Sequence, residues 1–143
     1  MKRKDASLSA RRNTVKRAKG GEAETTKPIP KEIKAKSIVS KDEWREYTKT
    51  VWHIANVSDP DHPAVFPVEI PHRLIKLFSF HGEVVLDPFA GVGTTARAAI
   101  PLGRRVVCVD QNPRYISTIK TRCAALSNGR PASELLTAVS SPW

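Results

Sequence analysis

The run Asp87-Pro88-Phe89-Ala90-Gly91-Val92-Gly93-Thr94-Thr95 gathers a carboxylate, two glycines and two hydroxyls into one short stretch. Glycine at positions 91 and 93 lets the backbone approach a ligand closely or take positive φ. A helix beginning near Thr94 offers unpaired N–H groups and the positive end of its dipole, which suit an anionic group. A second acid, Asp110, stands further along the chain at the end of another apolar run.

Positioning these residues requires strands and helices in a definite order. Glu83-Val84-Val85-Leu86-Asp87 and Arg105-Val106-Val107-Cys108-Val109-Asp110 are short, rich in β-branched residues, and each ends on an acid. Both have the near-continuous apolar character of strands buried on two faces. Before the first, Ile70, Leu74, Leu77 and Phe78 recur at helical spacing over residues 67–79, with Pro71 acceptable only in a first turn. Between the strands, residues 94–102 are Ala-rich and stop at Gly103, with an irregular last turn expected at Pro101. After the second strand, Asn112-Pro113 is a cap followed by a good first helical residue, and Ile116, Ile119, Cys123 and Leu126 form one stripe. Strand, helix, strand and helix in this order imply right-handed parallel crossovers and an α/β open sheet.

In such sheets ligands sit at the carboxyl ends of the strands, where the loop of residues 88–93 lies. A Walker A loop needs a lysine after its last glycine, and Thr94 stands there instead. The glycines alone leave a dinucleotide open, because Ala96 is permitted at the third position of that fingerprint. The acid decides against it, since Asp87 would repel a pyrophosphate and attract a ligand ammonium. S-adenosylmethionine carries a cationic amino group and sulfonium together with a carboxylate for the helix N-terminus. Asp110 would then accept hydrogen bonds from its ribose hydroxyls.

Charge is unevenly spread. Residues 1–40 hold twelve Lys/Arg against four Asp/Glu, whereas residues 41–143 hold twelve against ten, so most of the net +10 belongs to the first segment. That segment has no aromatic residue and too little apolar surface to offset the entropy of ordering it, and reads as a disordered basic tail suited to phosphate contact on DNA. No apolar run reaches membrane-spanning length and no secretory signal is present, which points to a cytoplasmic chain with no membrane partner. Cys108 and Cys123 lack paired ligands at metal spacing, so no metal site is expected.

Asp87-Pro88-Phe89-x-Gly91-x-Gly93-Thr94-Thr95 resembles the cofactor loop of the β-class N4-cytosine/N6-adenine DNA methyltransferases. His62-Pro63-Ala64-Val65-Phe66-Pro67 resembles the segment that precedes this loop and helps hold the methionine end of the cofactor, and Arg104 with residues 110–115 resembles the second-strand and ribose-acid region. Val51-Trp52-His53-Ile54 is similar to a Trp-containing stretch at the edge of the target-recognition part. The resemblance covers about residues 44–125 and implies a partial S-adenosylmethionine-dependent methyltransferase (Rossmann-like) sheet, within a restriction-modification context. It assigns cofactor binding to Phe66, Pro67, Asp87, Pro88, Phe89, Gly91, Gly93, Thr94, Thr95 and Asp110. Trp44, Tyr47 and Trp52 read as an aromatic cluster packed at the domain edge, with stacking on nucleic-acid bases as the alternative, and the other histidines receive no role.

The family's catalytic tetrapeptide, a polar residue followed by Pro-Pro-aromatic, occurs nowhere in the chain, so no catalytic residue is assigned. Ser141-Pro142-Trp143 has one proline too few. The resemblance therefore implies a C-terminal half: a tail at 1–40, the edge of the target-recognition region at 41–61, a cofactor-binding half-domain at 62–127 and an extension at 128–143. A partner chain or a missing N-terminal half would supply the tetrapeptide, and without it the enzyme would be inactive. A different class of function also fits, a non-catalytic nucleic-acid-binding remnant that keeps the half-fold as a scaffold.

Overall fold

The computed structural model describes residues 28–60, 63–126 and 131–141. Three parallel strands, β1 (Val84–Asp87), β2 (Arg105–Asp110) and β3 (Leu136–Ser140), lie side by side in sequence order. Helices α1 (Lys31–Lys36), α2 (Lys41–Tyr47) and α3 (Glu69–Phe78) precede the sheet; α4 (Thr94–Ala99) joins β1 to β2, and α5 (Pro113–Ala124) with the short α6 (Ala132–Leu135) joins β2 to β3. No described helix is long and apolar enough to cross a membrane.

Register explains the core. Val85 pairs with Val106, which pairs with Leu136, and Asp87 pairs with Cys108, which pairs with Ala138. Side chains at registered positions of parallel strands share a face, and α4 and α5 cover this one. Ala96, Ala98 and Ala99 of α4 and Ile116, Ile119 and Cys123 of α5 are buried with Val106 and Cys108 in a single cluster. Small residues on α4 let the helix lie close to the strands, while α5 fills the remaining volume with isoleucine.

The opposite face differs from the expectation of burial on both sides. Val84, Leu86 and Val139 point to it and are 51%, 63% and 47% exposed. Their composition suits a covered strand, but among the described residues they remain open to solvent.

Three further expectations are corrected. β3 falls inside the stretch read as a C-terminal extension, and it pairs with β2 along its whole length. In α3 the buried residues are Pro71, Arg73, Ile75 and Leu77, whereas Leu74 and Phe78 of the expected stripe are 43% and 66% exposed. Arg73 is drawn inward by rings distant in sequence, its guanidinium lying 5.1 Å from the ring centres of both Tyr47 and Trp52, while within α3 its Nε donates to Glu69 one turn earlier at 2.8 Å. Finally, residues 28–40 of the supposed tail are structured. Ser40 caps α2 through a reciprocal pair with Glu43, and Ser37 Oγ accepts the backbone N–H of His81 at 2.8 Å. Glu43 also pairs with Lys76 of α3, and that partner, followed by the Ser40 N–H, holds its carboxyl below the usual range. Residues 1–27 of the tail lie outside the described residues.

Arg104 fastens the sheet to the end of α3. It is 2% exposed, donating through Nη2 to Ser79 O and through Nη1 to Leu102 O, each at 2.7 Å, and through Nε to Ser79 Oγ at 3.1 Å. Replacing it by Met leaves the part-buried carbonyls of Ser79 and Leu102 without this donor, so Arg104→Met should lower stability by about 2–4 kcal/mol in urea denaturation. A loss within experimental error would show that water takes over these carbonyls.

Candidate cofactor site

At the carboxyl ends of β1 and β2 the chain turns twice into helices, and the two turns are tied together by one side chain. Asp110 Oδ2 accepts the Gly91 N–H at 2.8 Å and Oδ1 accepts the Asn112 N–H at 2.8 Å. The loop is further held by Ala90 N–H donating to Val109 O at 3.0 Å and Gly93 N–H donating to Ala90 O at 2.8 Å. Asp87 orients the other end of the loop, its Oδ1 accepting the Phe89 N–H at 3.1 Å.

Both glycines occupy conformations closed to most residues, Gly91 with φ 50° and Gly93 with φ 86°. Gly91 thereby aims its N–H at Asp110. Gly93 has a second reason, because a Cβ there would meet Ile119 Cγ1 at 2.8 Å. Its lack of a side chain lets α5 close against the loop. Thr94 is buried at the start of α4 and Thr95 is half-buried, while the ring of Phe89 is 77% exposed above the strand ends.

Among the residues singled out from sequence, Asp87, Pro88, Phe89, Gly91, Gly93, Thr94, Thr95 and Asp110 come together at the two strand ends. Phe66 and Pro67 lie in the segment that enters α3, where Phe66 is 42% exposed and Pro67 O accepts the Ile70 N–H. His62, Pro142 and Trp143 fall outside the described residues. Asn112 was read only as a helix cap; it does cap α5, its side chain accepting the Arg114 N–H, and its own N–H also completes the Asp110 shell. A separate hollow of about 400 Å³, lined in part by Lys36, His81, Leu102 and Arg104, opens at the opposite ends of the strands and is distinct from this site.

Cys108 lies directly beside Asp87 in register and is fully buried. Burial first, and then the Asp87 and Cys123 charges, push its thiol up to about 12, and burial raises Cys123 as well. Neither sulfur is a nucleophile near the site, and no described group of His, Cys, Asp and Glu could hold a metal ion.

Residues 4–121 match the model of the N6/N4-type DNA methylases, described as DNA methylase. The chain belongs to that family. It is 38% identical over 101 residues to the type II methyltransferase M.BglI of Bacillus subtilis, covering 68% of this chain and 29% of that protein. M.MjaI of Methanocaldococcus jannaschii is 42% identical over 77 residues, which is 50% of this chain and 25% of the relative. Among solved structures, the assigned DNA modification methylase TTHA0409 of Thermus thermophilus, complexed with S-adenosyl-L-methionine, superposes with a TM-score of 0.64 at 35% identity. That match covers 80% of this chain and 44% of the Thermus protein. The chain thus spans less than half the length of these relatives, and its fold is part of the methylase sheet.

Two outcomes follow from this geometry. Gly93→Ala combines a disfavoured φ with a clash on Ile119, and should cost about 2–4 kcal/mol of stability by thermal or urea unfolding. The thiols of the native chain should resist iodoacetamide at pH 8 and react only once the protein is unfolded, as mass spectrometry would report. Rapid alkylation of Cys108 in the folded chain would contradict its burial.

Proposed function

We propose that this chain is the cofactor-binding part of a DNA amino-methyltransferase, one that moves a methyl group from S-adenosylmethionine to N6 of adenine or N4 of cytosine. The observation that carries the proposal is the pair of acids ending adjacent parallel strands, with a glycine loop between them fastened to Asp110. The donor set suits this ligand. Asp87 supplies a carboxylate for the ligand's cationic groups, and each oxygen of Asp110 keeps a lone pair beyond the amide it already accepts, enough for two ribose hydroxyls. The exposed Phe89 ring offers a wall, and Pro88 stiffens its approach. Thr94 and Thr95 start the helix beneath the loop, and Phe66 and Pro67 would close the methionine side. The Thermus relative was itself crystallised with S-adenosyl-L-methionine.

The bound cofactor supplies an electrophilic methyl on its sulfonium. This chain's residues bind and orient it; the clamp that holds a flipped base and aims its amino nitrogen belongs to the Pro-Pro-aromatic tetrapeptide, absent from the sequence. A partner chain or further segment carrying that tetrapeptide would complete the enzyme, and the open face bearing Val84 and Leu86 is compatible with such a cover. Residues 41–61 would border the target-recognition part and the basic N-terminal residues would contact DNA phosphates. A restriction-modification role in the cytoplasm agrees with the type II methyltransferases among the relatives.

Calorimetry with S-adenosylmethionine should show binding by the 143-residue chain, weakened by about 1–3 kcal/mol in Asp87→Ala and in Asp110→Ala, the cost of losing charge-assisted contacts. The chain alone should transfer no labelled methyl group to mixed-sequence DNA, and a chain bearing the tetrapeptide should restore transfer. Unchanged affinity in both variants would remove the site, and no binding at all would favour a non-catalytic DNA-binding remnant.

A further inference from the structure

The hollow of about 400 Å³ at the amino ends of the strands lies between residues 36–38, Lys76 of α3 and the turn that enters β2, and its size is that of a small-molecule site. Much of its lining is apolar. Leu102, Leu126 and Leu135 contribute to it, and Ile38 borders it while remaining 68% exposed. One wall is preformed, because Gly103 at φ 73° lacks a side chain and the His81 ring packs where a Cβ would meet its Nε2 at 2.3 Å.

The charge on this lining is one-sided. Arg104, Lys36 and Lys76 border the hollow, and among the described residues no Asp or Glu does. Lys76 is neutralised by Glu43, whereas Lys36 has no ion pair among the described residues. Arg104 is 2% exposed, and its acceptors, Ser79 O, Ser79 Oγ and Leu102 O, are all uncharged, leaving an N–H on Nη1 and another on Nη2 uncommitted. Burial pulls its pKa down, and the acid that opposes this is Glu83, which stands outside the lining and accepts the Phe80 N–H. A guanidinium withdrawn from water with neutral partners alone is unfavourable. An anion in the adjoining space would offset that penalty.

We infer that this hollow binds a phosphate monoester with an apolar body, its head taken by Lys36 and Arg104 and its body by Ile38, Leu102 and Leu126. Two cations without a facing acid suit a group that is close to dianionic at neutral pH, and guanidinium matches phosphate in geometry. The apolar lining beside them excludes a bare ion as the natural occupant. Lys36 and Ile38 belong to the segment before α2, while Leu102 and Arg104 belong to the entrance of β2, so the ligand joins the N-terminal segment to the sheet. The site lies at the other end of the strands from Asp87 and Asp110 and does not depend on the cofactor reading.

The test follows backbone amide shifts of the full chain by NMR during titration with 1-naphthyl phosphate, hexyl phosphate, 1-naphthol and inorganic phosphate. The two esters tell an aromatic from an alkyl body, and the last two probes each offer one half of the ligand. At least one ester should shift the amides of Ile38, His81, Gly103 and Leu126, leave those of Gly91 and Asn112 in place, and bind about tenfold more tightly than 1-naphthol or inorganic phosphate. Lys36 is exposed, so Lys36→Glu keeps the fold and should weaken that ester about tenfold. Equal binding of inorganic phosphate would mean an adventitious ion only, and equal binding of 1-naphthol an adventitious apolar contact. Either result overturns the inference, as do shifts centred on Gly91 or on the open sheet face, full affinity in Lys36→Glu, or no binding of either ester at millimolar concentration.

Discussion

A carboxylate that accepts one backbone N–H from each of two loops is the constraint on which this structure turns. Asp110 ends β2, and its two oxygens fix the turn into α4 through Gly91 and the turn into α5 through Asn112. Hydrogen bonds to an ionised acceptor contribute about 1.5–3 kcal/mol each, more than a neutral pair, and here they join segments that the sheet alone would leave independent. Gly91 must take positive φ to present its amide, and Gly93 must lack a side chain for α5 to sit close enough to present Asn112. The loop that faces a ligand and the packing of α5 on the sheet are thus one arrangement.

Cys108 adds a quieter condition. It occupies the position beside Asp87 and is sealed beneath α4 and α5, so the floor of the candidate site is uncharged and chemically inert. Carboxylates standing over such a floor have their charge opposed chiefly by backbone amides, which leaves them available to a cationic ligand.

Much of this was legible in the chain itself. β2 has the bounds that its run of valines and its terminal acid suggest, and α5 begins at Asn112-Pro113 and buries Ile116, Ile119 and Cys123 as the spacing implies. Pro101 and Gly103 end the helical stretch early, leaving α4 only six residues long. What escaped depended on contacts between distant residues. β3 is short and carries Thr137, Ala138 and Ser140, so its strand character comes from pairing with β2 more than from composition. The inward side of α3 is set by Arg73, a residue type normally placed outside, and nothing local announces that Tyr47 and Trp52 enclose its charge. The Ser40-to-Glu43 capping box went unread, because the basic composition before it suggested a tail. Asp87 and Asp110 do meet at neighbouring strand ends; that Asp110 already holds two amides could be learned only from the fold.

The open face of the sheet bears on how such a chain behaves in company. Val84, Leu86 and Val139 present an apolar strip, and β1 forms one edge of the sheet among the described strands. An uncovered strip beside a strand edge is attractive to any chain with a matching surface, including a second copy of the same molecule. Self-association and completion by a different chain then compete for one surface, and mass action decides between them. The relative abundance of the two chains, as much as their complementarity, would set how many complete molecules assemble.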